Sequence, residues 1–124
     1  MYLPSLRNAR PAYRYRIGNY VAVIMTDCES IGAIEYTHVL FLLDPNLPNP
    51  IFAVAAEVNT MPFTEGPTRL FLGVFPGSRH ENHGLSADWV DLDKFSGRAL
   101  QIVAERFEIA ETPVLLPLPK PGLN

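Results

Sequence analysis

The run Glu35-Tyr-Thr-His-Val-Leu-Phe-Leu-Leu43 leads through Asp44-Pro45-Asn46-Leu47-Pro48-Asn49-Pro50 into Ile51-Phe-Ala-Val-Ala-Ala-Glu-Val58. Two apolar runs of strand length flank a connector with three prolines. Proline offers no backbone N–H to a strand ladder, so neither strand continues through the connector and a hairpin is predicted. Both faces of this hairpin are apolar. Tyr36, His38, Leu40 and Leu42 alternate with Thr37, Val39, Phe41 and Leu43, and Phe52, Val54, Ala56 and Val58 alternate with Ile51, Ala53 and Ala55.

Further strands are expected on either side. Tyr13-Arg14-Tyr15-Arg16-Ile17 alternates aromatic and basic residues, and Gly18-Asn19 suits a two-residue turn into Tyr20–Met25, or else a bulge in one long strand. Thr26–Ala33 reads as a loop, Asn59–Pro67 as a connection, Thr68–Phe75 as a strand and Pro76–Gly84 as a polar loop. The period then changes. Leu92, Phe95, Ala99, Ile102, Val103 and Phe107 fall on one helical face, with Asp93, Arg98, Glu105 and Glu108 largely opposite, which predicts a helix from about Val90 to Glu108. Asp88 or Asp91 is placed to cap it, and Gly97 weakens it by about 1 kcal/mol against Ala. Residues 1–12 form an extended N-terminal arm, and residues 110–124 a proline-rich tail.

Strands joined by short connections and followed by one helix give an α+β fold: a mainly antiparallel meander sheet that can curl into a partial barrel, with one long C-terminal helix packed on it. At 124 residues the expectation is a single domain. One helix covers only about half of one face of a four-stranded sheet, so curling, the tails or a second subunit must cover the rest. Self-association through the sheet is the expectation that follows.

Composition narrows the class. A 48% hydrophobic and 19% charged chain is globular, and its single cysteine excludes an intramolecular disulfide. No apolar run approaches the roughly 20 residues that cross a bilayer, and the N-terminal residues lack the order of a signal peptide, so a cytoplasmic protein without a membrane partner is predicted. The net charge of −3 is unevenly spread: Arg7, Arg10, Arg14 and Arg16 precede an acid-rich stretch with no Lys or Arg between Ile17 and Gly66. The Tyr–Arg alternation suggests a stacking surface for single-stranded nucleic acid, but an acidic body opposes phosphate, and nucleic acid is not expected. Docking of the arm on its own body or on a neighbouring subunit is the preferred role.

The richest polar stretch is Pro76-Gly-Ser-Arg-His-Glu-Asn-His-Gly84. The imidazoles of His80 and His83 could act as general acid or base, Glu81 can hold an imidazole tautomer, and Arg79 can orient a carboxylate or phosphate. With Ser78 and the backbone N–H groups near Gly77, the loop offers a place for a small anionic ligand, though Asp88, Asp91 and Asp93 crowd the nearby helix start. Trp89 and Phe75 are candidate apolar walls. Two histidines need a third ligand for zinc, from His38, Glu57 or Asp88. No companion motif is present, so neither metal nor cofactor is expected. Cys28 lies between Asp27 and Glu29, a poor setting for a thiolate, and His38 reads as a hydrogen-bonded core histidine. The function expected is a binding or accessory role in a self-associating domain. The alternative is a hydrolase or lyase of a small polar substrate, with His80, His83 and Glu81 as catalytic candidates, Arg79, Ser78 and Trp89 as binding candidates, and an acid from Asp27, Glu29 or Glu57.

Overall fold

The structure is a computed structural model that describes residues 3–58 and 69–118. The connection predicted over Asn59–Pro67 and the end of the proline-rich tail lie outside the described residues. Seven strands form one antiparallel sheet: β1 (Leu6–Ile17), β2 (Tyr20–Ser30), β3 (Tyr36–Leu43), β4 (Phe52–Val58), β5 (Leu70–Phe75), β6 (Glu81–Ser86) and β7 (Val114–Leu116). Their order is β6-β5-β4-β3-β2-β1-β7. The first six form a meander. The chain then crosses one face as helix α1 (Leu92–Arg106) and adds β7 beside β1. The sheet is open, with β6 and β7 as its edges.

The central hairpin forms, with Leu42 opposite Phe52 and Leu40 opposite Val54, but the register shifts between Tyr36 and His38, so Tyr36 joins the face opposite the one expected. Gly18-Asn19 is the tight turn between β1 and β2, where Ile17 pairs with Tyr20. Gly18 supplies a φ of 58°, and a Cβ there would stand 3.1 Å from Ile109 Cγ2.

Three expectations need correction. Thr26–Ser30 continue β2 rather than opening a loop, through a segment where Asp27 takes a φ of 51° and the β1–β2 register shifts. Such irregularity lets a strand bend while its neighbours stay paired. The arm is mostly strand, since β1 starts at Leu6, and the tail contributes β7. Pro76–Gly84 is a loop only as far as His80, because Glu81–Gly84 belong to β6.

Helix α1 starts later than predicted. A 3₁₀ turn over Ala87–Val90 precedes it, and Asp91 caps it by accepting from the Lys94 N–H at 2.9 Å. Phe95, Ala99, Ile102 and Val103 are buried, as the periodicity required, and face Ile24, Leu40, Leu42, Val54 and Leu72 of the sheet. His38 points to this face. Its Nε2–H donates to the Val90 carbonyl at 3.0 Å and its Nδ1 lies 2.9 Å from Thr26 Oγ1, so it ties the 3₁₀ turn to β3. A carbonyl only accepts, which fixes the proton on Nε2 and leaves Nδ1 to accept from the threonine in the neutral form.

The second face has its own apolar cluster of Tyr36, Val39, Ala53, Ala55 and Phe75. Leu3 and Leu6 from the N-terminal segment pack against it. Leu3 and Leu6 thus seat the start of the arm on the face opposite α1.

Candidate functional site

Glu57 is the one acid within the apolar run of β4. Strand alternation puts it on the second face, in line with Ala53 and Ala55, and its side chain is 7% exposed. The loop after β5 brings His80 over the same place, with Nε2 2.7 Å from Glu57 Oε2. The contact is an ion pair by distance, set off the axis of an aligned hydrogen bond. Gly73 of β5 makes the meeting possible: a Cβ there would overlap Glu57 Oε2 and stand 2.9 Å from His80 Nε2. The imidazole stacks on Phe75 with centroids 4.6 Å apart and planes within 9°. Burial raises the Glu57 carboxyl above its ordinary range, and the charge and proton of His80 pull it back.

Phe75 also lines a cavity of about 220 Å³ on this face. Leu3 and Ser5 of the arm, Gly32-Ala33-Ile34 and Tyr36 complete its described lining. The Tyr36 and Phe75 rings meet edge-on at 6.2 Å. The site thus joins a buried carboxylate to a half-buried imidazole, with an aromatic wall shared with the cavity and two chain segments that help line it.

The remaining candidates divide. His83 does not share a pocket with His80. It lies on β6, with Nε2 3.0 Å from Glu81 Oε1. Glu81 is the centre of a separate cluster, accepting from Arg106 Nη2 at 2.6 Å and from Arg79 Nε at 2.9 Å. These bonds, that to Arg106 first, hold its carboxyl down to about 2. Arg106 ends α1 and lies 5.8 Å over the Phe52 ring, so the cluster pins the helix end to the edge strand. Arg79, Glu81 and His83 are engaged with one another and with the helix.

Ser78 is exposed and its side chain makes no hydrogen bond among the described residues. Gly77 and Ser78 do not lead into a helix start as expected, because β6 and the 3₁₀ turn separate that loop from α1. Trp89 packs against the helix-side core while Phe75 belongs to the opposite face, so they are not walls of one pocket. Of the acids considered, Glu57 joins a histidine, Asp27 pairs with Arg10 at 2.9 Å, and Glu29 is exposed. Cys28 is half-buried, its thiol pushed up to about 11 by burial and then by Asp27. Among the described residues no three His, Cys, Asp or Glu side chains gather as metal ligands.

Sequence reading passed over Gly73 and Arg106. Gly73 had a signal, since an isolated glycine inside an apolar strand marks a close approach. Arg106 had none, because only the fold brings a helix end to β6. No protein-family model, no curated protein and no solved structure matches the chain.

Proposed function

We propose that this domain binds a small ligand on the arm-covered face, with the Glu57–His80 pair as its polar anchor. The pair itself carries the reading. Removing a carboxylate and an imidazole from water is costly, and an apolar pair of similar volume in such a place is often as stabilising or more so. A face already built from Val39, Ala53, Ala55 and Phe75 has no need of the pair for cohesion. Perturbed carboxylates with a specific partner beside a cavity concentrate at functional sites. The cavity suits a fragment-sized, mainly apolar ligand with one or two polar groups.

The test separates binding from structure. In the double variant Glu57→Leu/His80→Phe the urea midpoint should stay at or above that of the wild type. Small aromatic and carboxylate fragments that shift the His80 and Phe75 resonances of the wild type should no longer bind saturably. A sharply lowered midpoint, together with a wild type that binds no fragment, would leave the pair a purely structural device.

A second reading is the hydrolase or lyase. A carboxylate holding one imidazole nitrogen fixes the tautomer and prepares the other nitrogen as a base. It ranks second because Arg79 and His83, the groups expected to assist His80, are taken up by Glu81. A cytoplasmic, self-associating domain accompanies either reading, and the unclosed sheet favours pairing at an edge.

A further inference from the structure

The second face is covered only in part. Strand pairing places Arg14 beside Val23 and Val23 beside Phe41, Arg16 beside Val21 and Val21 beside Leu43, and Met25 beside Val39. On the other side of β1, Leu116 pairs with Arg14 and Val114 with Arg16. Directly paired residues share a face, so an apolar strip crosses β7, β2 and β3 with two arginines set within it. Val21, Val23, Met25, Phe41, Leu43 and Arg14 are half-buried. Among the described residues, neither the Arg14 nor the Arg16 side chain makes an ion pair or hydrogen bond, and the strip itself has no carboxylate. Beside it runs a groove of about 450 Å³, bounded by Leu6, Arg7, Asn8 and Ala9 of β1 and floored by Met25 and Phe41. Arg7, at its rim, makes no ion pair among the described residues, though Glu29 and Glu35 line a pocket with it.

We infer that this strip and groove form a docking surface for an acidic, extended segment of a partner protein. Charge complementarity selects the occupant. Guanidinium groups within an apolar field call for carboxylates that arrive with apolar neighbours. Spacing selects the conformation: Arg14 and Arg16 lie two residues apart on one strand, about 6.8 Å, which is the repeat of same-side residues in an extended peptide. A segment with carboxylates at alternate positions meets both, and apolar residues following them enter the groove over Met25 and Phe41. A second copy stacked on the same face would set arginines against arginines. Nucleic acid is disfavoured because Tyr13 and Tyr15 turn to the helix-side core, leaving Phe41 as the strip's aromatic group.

The experiment uses the full chain and a short synthetic peptide with Glu at two alternate positions followed by alternating Leu. Controls are the same peptide with Lys for Glu, phosphatidylserine vesicles and a single-stranded oligonucleotide. The acidic peptide should bind saturably, weaken as salt rises, shift the Met25 methyl resonance, and lose affinity about tenfold or more in Arg14→Gln/Arg16→Gln. The Lys peptide should not bind. Met25→Lys, which leaves both arginines in place, gives an independent loss if the double variant unfolds. An acidic peptide that fails to bind, or binds equally to folded variants, overturns the inference. So does preference for vesicles or oligonucleotide, or a dimer that dissociates in the Arg14/Arg16 variant.

Discussion

Gly73 leaves space over β5 in which a carboxylate and an imidazole meet, and that space can be tested directly. Gly73→Ala should cost about 1–3 kcal/mol, the usual cost of overpacking. In a Glu57→Ala background the cost should shrink, because the oxygen that the new methyl strikes is gone. Equal costs in the two backgrounds, read from urea midpoints, would detach Gly73 from the pair. Glu81 makes the opposite demand on pH. Its folded-state carboxyl sits at about 2 against an ordinary 4.5, so it adds stability that is complete above about 4.5 and lost as pH falls towards 2. The difference in urea midpoint between wild type and Glu81→Gln should therefore close across that window. A difference unchanged between pH 5 and pH 2 would show that the Arg106 contact does not hold the helix end in solution.

Helix α1 offers a contrast between its two sides. Phe95 is fully buried, and Phe95→Ala should lower stability by about 3–5 kcal/mol. Gly97 faces open space, so Gly97→Ala should raise stability by up to about 1 kcal/mol through helix propensity alone. Denaturation of the two variants checks both signs. Asp93 lies on the outer side yet is not idle: it accepts from the Tyr13 hydroxyl at 2.7 Å and, by that bond, raises the phenol above its ordinary 10.0. Asp93→Ala should bring the Tyr13 titration back towards 10.0, as a spectrophotometric titration will show. An unchanged titration would place the contact outside the solution structure.

The two edges of the sheet differ. The β6 edge presents Glu81, Asn82 and His83, polar groups that discourage strand addition. The β7 edge presents Val114 at 46% and Leu115 at 59% exposure. Self-association should therefore run through β7, extending the sheet into a second copy. Sedimentation at tens of micromolar is expected to show a dimer, and Leu115→Lys should return it to monomer. A wild type that sediments only as monomer would remove self-association from the account of this protein.

The hairpin, its two apolar faces, the helix with its buried stripe and the core role of His38 were all legible in the sequence. Each depends on local periodicity, on the missing N–H of proline or on the burial of an apolar neighbourhood. The polar loop was legible as a gathering of chemical groups but not as a site. Which partner each group takes depends on residues far along the chain: His80 meets Glu57 across β5, while Arg79, Glu81 and His83 are drawn to Arg106 at the end of α1. The packing of Leu3 and Leu6 on the second face likewise depends on strand order, and β7 depends on the helix delivering the tail to the far edge. Sequence by itself determined which segments must be strand or helix and which faces must be buried, because side-chain period and backbone donors act locally. Tertiary structure alone decided which charges meet and which face stays open, because those contacts are set by strand order and by the path of one crossing helix.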